Sequence, residues 1–296
     1  MTLQLKPLKP FAAEASGIDL SRALSPDEVH AIEDAMDEHG VLVFPGQPLT
    51  QDQQIAFAKS FGPLDMGFGK VRGTATAPRR LAYAELADIS NVKVDGEIAD
   101  RAHSKIVGNV ANQLWHSDSS FQRPRAKYSM LSAVTVPAFG GDTEFADLRM
   151  AHDALPEWRK RQIAGLNAVH YALHSRFLLG DTEYSDAQRN AIEPTEWPLV
   201  QTDPRTGRKI LYIGIHACDV TGMTTAEGRM LLMDLLEHAT QPAFVYQHHW
   251  KVGDLVMWDN TATAHRGRWY DFAERRELRR ATTEEVQTSP EAAAID

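Results

Sequence analysis

The chain has 296 residues, 43% of them hydrophobic and 24% charged, with a formal net charge of -9. That length supports a sizeable core and argues against global disorder. The longest apolar runs, such as residues 41–44 and 255–258, fall far short of a membrane span. The opening MTLQLKPLKP has no apolar signal core, and Cys218 as the one cysteine excludes an internal disulfide and a cysteine-rich zinc site. Both features lead us to expect a cytoplasmic protein. An acidic balance also disfavours generic nucleic-acid binding.

Taken in chain order, the first third carries two well-signalled helices. Ser25 caps, Pro26 takes the first helical position, Glu28 completes a capping box and Gly40 follows the last turn, with Val29, Ile32 and Met36 as the buried stripe. Thr50 and Gln53 repeat that spacing ahead of Ile55, Ala58 and Phe61, and Gly62-Pro63 stops the second helix. Residues 41–44 between them read as a buried strand. From 65 to 110 no helical or strand period is sustained, so this stretch is expected to be a lid. Strands are then predicted over 127–136, 168–173, 197–202, 208–213, 244–250 and 254–258, with a turn at Asp203-Pro204-Arg205-Thr206-Gly207. Helices interrupt them at 156–165 and 225–239, the latter capped by Thr224 and Glu227. Residues 284–296 are expected to form a loose tail on a single domain. The class is mainly β with helical buttresses, a sandwich or barrel.

Among the 12 histidines, His116 and Asp118 stand two apart in a segment that could be extended, which would aim both heads the same way. His265, directly after a strand-like run, is the best third ligand. Two imidazoles and one carboxylate suit non-heme Fe(II), because they leave positions open for oxygen and a bidentate co-substrate. A lone His-x-Asp also arises by chance in so His-rich a chain. Six arginines follow between 266 and 280, of which Arg276 and Arg280 would share one face of a strand. A guanidinium binds a carboxylate through two parallel hydrogen bonds. A solvated charge run is the bland account of the same residues.

The segments LWHSDSSF, GGDTEFADL, VMWDNTATAHRGRWYD and RRELRRATT, in this order, resemble the Fe(II)- and 2-oxoglutarate-dependent taurine dioxygenase family. FPGQPLTQDQQIAFAKSFGPL, YAELADISNV, SMLSAVTVP and HYALHSRFLLGDTEYSDAQRN bring the likeness closer to its 2,4-dichlorophenoxyacetate branch, and the resemblance covers about 10 to 283. It implies a double-stranded β-helix, a cupin-like jelly roll holding iron at one open end. It further implies His116, Asp118 and His265 as iron ligands, Thr143 and Arg276 as contacts of 2-oxoglutarate, and Arg280 as the anchor of the substrate's acidic group. Asn112 and His216 correspond to positions at the substrate cavity, and Lys70 and Lys93 lie in the lid, where a cation could attract an organic anion. Read without the resemblance, Thr143 is a strand residue after a glycine bulge, Asn112 a backbone cap, His216 a core histidine, and both lysines are solvated. His170, His174, His248 and His249 read as structural. The implied cofactors are Fe(II), 2-oxoglutarate and O2. The implied substrate is a small organic acid of the aryloxyalkanoate class, and a homo-oligomer is expected, with no nucleic-acid or membrane partner. A taurine-like sulfonate is the alternative substrate, and a non-catalytic metal-binding jelly roll is the alternative class.

Overall fold

In the computed structural model, which describes residues 2–66, 79–186, 189 and 193–286, helix α1 spans Pro26–His39 and α2 spans Gln51–Lys59. Both capping boxes are formed, and Gly40 ends α1 at φ 68°, a left-handed conformation that costs glycine nothing. The two helices cover one face of a seven-stranded sheet. Its order is β1 (Gln4–Pro7), β2 (Ala13–Ser16), β3 (Val41–Phe44), β13 (Leu255–Asp259), β5 (Ala126–Thr135), β15 (Glu277–Glu284) and β4 (Ala87–Ser90).

Period-two alternation decides which residues face which layer. Leu42, Phe44, Met130, Leu255 and Met257 pack with the helices. Their neighbours Val41, Val43, Leu131, Val256 and Trp258 point the other way and meet Phe145. Phe145 belongs to β6 (Thr143–Asp147), the middle strand of a second sheet between β12 (Val245–His248) and β14 (Thr263–Gly267). Full burial of a side chain such as Phe145 or Val256 in this inter-sheet layer stabilises the fold by about 1.5–3 kcal/mol each. The polar members of the inward set are the ones available for chemistry.

Beyond the second sheet lies a further apolar cluster. It joins α4 (Leu148–Asp153), α5 (Glu157–Ile163) and α7 (Thr225–Ala239) to β7 (Asn167–His170), β10 (Lys209–Leu211) and β11 (Ala217–Val220). The remaining elements are α3 (Ser104–Ala111), α6 (His174–Leu178), β8 (Thr195–Pro198) and β9 (Val200–Thr202). Among the described residues no helix is long and apolar enough to cross a membrane.

Three expectations change. The 65–110 segment holds β4, which extends the main sheet beside β15, and helix α3; both are too short to impose a visible period. The expected strand at 197–202 is two strands, β8 and β9, which belong to different sheets. Glu284 still belongs to β15, and Glu285 pairs with Arg125 at 2.9 Å, so the chain is tied down past the point where the tail was expected. Residues 287–296 of that tail lie outside the described residues.

Candidate metal centre and anion cleft

His116 and His265 face each other through reciprocal backbone hydrogen bonds of 2.9 and 2.8 Å, an isolated antiparallel bridge. This bridge, rather than an extended strand, presents His116; the chain then enters a turn in which Ser119 adopts φ 48°. The turn still brings Asp118 back to the histidines. Its carboxylate oxygens lie 3.8 Å from Nε2 of His116 and 3.8 Å from Nε2 of His265. The three residues are buried, and their ligand-capable atoms all fall within 4.8 Å of one another.

Neighbours fix each head. His116 Nδ1 lies 2.7 Å from the Leu114 carbonyl, so that nitrogen carries the hydrogen and Nε2 keeps its lone pair. The His265 ring is held by packing against Trp258, with centroids 4.7 Å apart, and its Nδ1 has no hydrogen-bond partner among the described residues. Asp118 accepts from Ser129 Oγ at 2.7 Å, and its backbone N–H donates to Asn260 Oδ1 at 3.0 Å. Asn260 Nδ2 in turn donates to Ser129 Oγ. Neither Ser129 nor Asn260 carries a motif of its own, which is why sequence reasoning passed over both.

Burial pushes both imidazoles toward the neutral form, His265 well below the usual histidine range. Burial by itself would raise Asp118. Arg280, His265, His116 and the Ser129 hydroxyl together outweigh it and hold the carboxyl at about 2. Two neutral imidazoles and one carboxylate are the protonation states a hard or borderline divalent cation needs.

An open cleft runs over this cluster. Thr143, Arg276, Arg280 and Asn112 all line it. Arg280 Nη1 reaches Asp118 Oδ1 at 2.5 Å. Arg276 is 7% exposed, donates to the Gly141 carbonyl at 2.9 Å, and has no carboxylate within ion-pair distance among the described residues; its Nε is without a partner. Burial draws its pKa down to about 10. Gly141, at φ +74°, makes room for it: a Cβ there would stand 3.0 Å from Arg276 Nε. The backbone of Arg276 is clamped by fully buried Asn91. The Asn91 side-chain oxygen accepts its N–H at 2.9 Å, and the Asn91 backbone N–H donates to its carbonyl at 3.2 Å. The other arginines of the run are engaged elsewhere: Arg266 and Arg268 with Glu144, Arg275 with Glu277, and Arg279 with the Leu49 carbonyl.

Two weaker expectations fare differently. His216 does not line the cleft; its ring packs edge-on against His116 and Phe121 at 6.1 and 5.0 Å. Lys93 is paired with Asp95 at 2.9 Å in a surface turn and does not reach the cleft, because the carboxylate two residues on satisfies it locally. Lys70 lies outside the described residues.

His170, read as structural, is 1% exposed and stacks on Tyr212, and burial lowers its pKa to about 3. An unfolded histidine takes up a proton near pH 6.5, so below that value the unfolded chain binds more protons than the folded one. His170 should therefore cost about 2 kcal/mol of stability between pH 7 and pH 5. Denaturant melts at the two pH values should show that loss, and His170→Asn should flatten the slope. An unchanged slope in the variant would refute the assignment.

A buried cluster of two histidines and one carboxylate, open on one side to a cleft carrying cationic donors, defines a mononuclear metal centre of the facial-triad type. The chain belongs to the family described as "Taurine catabolism dioxygenase TauD, TfdA family", which it matches over residues 4–282. It is 63% identical to the alpha-ketoglutarate-dependent 2,4-dichlorophenoxyacetate dioxygenase of Cupriavidus pinatubonensis, over 96% of this chain and 98% of that one. It is 38% identical to the (S)-phenoxypropionate/alpha-ketoglutarate-dioxygenase of Sphingobium herbicidovorans, over 81% and 80% of the two chains. The crystal structure of AAD-2 in complex with Mn(II) and N-oxalylglycine superposes with a TM-score of 0.92 at 44% identity, covering 97% of this chain and 99% of that one.

Proposed function

We propose that this chain is an Fe(II)- and 2-oxoglutarate-dependent dioxygenase that hydroxylates the carbon next to the ether oxygen of aryloxyalkanoic acids such as 2,4-dichlorophenoxyacetate. The products are a phenol with glyoxylate or a keto acid, together with succinate and CO2. The observation that carries this reading is Arg276: a guanidinium this deeply buried, with no carboxylate among the described residues to answer it, is built to receive an anion from outside.

In this reading His116, Asp118 and His265 hold Fe(II), and the donor set fits: two neutral imidazoles, one ionised carboxylate and a second layer of Ser129 and Asn260. The bound iron, with 2-oxoglutarate and O2, supplies the oxidising power. The protein's part is positioning and exclusion of water. Thr143 and Arg276 receive the co-substrate carboxylate, and Arg280 receives the carboxylate of the organic acid. Ile89 and Leu131 give the cleft an apolar wall on which an aromatic ring can lie. Once the carbon beside the ether oxygen carries a hydroxyl, the product is a hemiacetal, and its collapse breaks the ether bond. The two sheets are read as the halves of a jelly roll with the metal centre at its open end. Self-association and a cytoplasmic site of action belong to the same proposal.

Anaerobic titration with Fe(II) and 2-oxoglutarate, then oxygen-dependent release of phenol and succinate, tests the reading; uptake of neither ligand would overturn it. Release of sulfite from taurine in preference to phenol would move the substrate to the sulfonate class. Arg280→Ala should lower kcat/KM for the aryloxyacetate by about 30- to 150-fold, the 2–3 kcal/mol expected for one half of a partly exposed charge pair. A loss below threefold would remove Arg280 from the substrate site.

A further inference from the structure

Trp250 lies just beyond β12, opposite β6, whose first residue is Thr143. Its indole N–H donates to Thr143 Oγ1 at 3.0 Å. The indole nitrogen can only donate, whereas a threonine hydroxyl has one hydrogen to give and lone pairs to receive. With Trp250 occupying a lone pair, the Thr143 hydrogen has to be offered elsewhere. Thr143 is 4% exposed, lines the cleft, and has no other side-chain hydrogen bond among the described residues. Arg276, on the same cleft, presents an Nε that is also without a partner. The Trp250 ring stands at 87° to the ring of His248, 4.5 Å away, and His248 Nε2 lies 3.2 Å from Asp254 Oδ2. The indole thus packs against a buried side chain whose Nδ1 lies 3.3 Å from the Tyr246 hydroxyl.

From this arrangement we infer that Trp250 is a positioning residue: by donating to Thr143 it commits the threonine hydroxyl to act as a donor toward a carboxylate in the cleft. Thr143 and Arg276 then both donate into the cleft, and the fixed charge of the guanidinium makes the pair favour an anion over a neutral carbonyl or amide. The inference rests on the assignment of 2-oxoglutarate to this cleft and adds to it a residue that never touches the ligand.

The experiment is a double-mutant cycle read by direct binding. 2-Oxoglutarate is titrated calorimetrically, without oxygen and with Mn(II) in place of iron, into the unaltered protein, Trp250→Phe, Thr143→Val and the double variant. Trp250→Phe should raise Kd about 3- to 10-fold, the size of one net hydrogen bond, and raise KM for 2-oxoglutarate while leaving kcat within twofold. In the Thr143→Val background the same change should have almost no further effect, because the hydroxyl it orients is gone. Effects that simply multiply would mean that Trp250 acts through packing, and would overturn the inference. So would a Trp250→Phe protein that binds as tightly as the original. If the phenylalanine variant does not fold, benzothienylalanine at position 250 keeps the bicyclic shape and removes only the N–H, and the same two outcomes decide. Failure of the unaltered protein to bind 2-oxoglutarate would instead strike the functional assignment itself.

Discussion

Alanine at position 276 should raise the KM for 2-oxoglutarate by about 150- to 5000-fold, the equivalent of the 3–5 kcal/mol lost when a buried charged pair is broken from one side. The same variant should be at least as stable as the parent in the absence of ligands. Arg276 is desolvated without a carboxylate partner among the described residues, so removing its charge removes a cost that only a bound anion offsets. Lysine there should restore only part of the affinity, since a point charge cannot reproduce the two-pronged geometry of a guanidinium. Steady-state KM together with thermal melts of the apoprotein checks both halves. A KM change under tenfold, or a clear drop in Tm, would contradict the assignment.

Asp118→Ala is expected to abolish turnover, with kcat/KM falling by more than about a thousandfold and divalent-cation affinity falling with it. The magnitude follows from charge. At 4 Å and an effective dielectric constant of 20, one unit charge facing a dication is worth about 8 kcal/mol, so the roughly 4 kcal/mol behind a thousandfold is a conservative floor. In contrast to Arg276→Ala, this variant should also be less stable, because Arg280 loses its partner at 2.5 Å and Ser129 loses its acceptor. Cation titration by fluorescence or calorimetry, alongside activity, provides the check. Retention of a tenth of the parent's activity would exclude Asp118 as a ligand. The two variants therefore act on apoprotein stability in opposite directions, which tells an anion receptor from a ligand holder even before substrate is added.

Local chemistry explains what the sequence disclosed and what it withheld. Helices α1, α2 and α7 were legible because Ser25/Glu28, Thr50/Gln53 and Thr224/Glu227 mark their starts unambiguously. Strands β3 and β13 were legible as fully buried apolar runs. Strand β4 was not, since Ala-Asp-Ile-Ser has neither length nor alternation and owes its place to pairing with β15 nearly two hundred residues away. For the site, His116, Asp118, His265, Arg276 and Arg280 stood out by residue type and spacing and Thr143 through the family resemblance alone, and the structure brings all six to one cleft or its floor. Lys93 could not be judged, because nothing in its spacing reveals that Asp95 would take it up. Ser129, Asn260, Asn91 and Trp250 are ordinary residues whose work exists only through partners distant in the chain.

Asn91 ties two problems together that an engineer would prefer to treat apart. It stands two residues beyond Ile89, the apolar wall of the cleft, and its side-chain amide also donates to the Phe272 and Glu274 carbonyls on the loop that leads into Arg276. Any repacking at Ile89 to admit a bulkier aromatic group shifts the end of the same strand and, through that amide, the backbone beneath the guanidinium. Selections for a broader herbicide range at this wall will consequently drag keto-acid affinity along with them, and the profitable libraries are those that vary Ile89 together with residues 272–275.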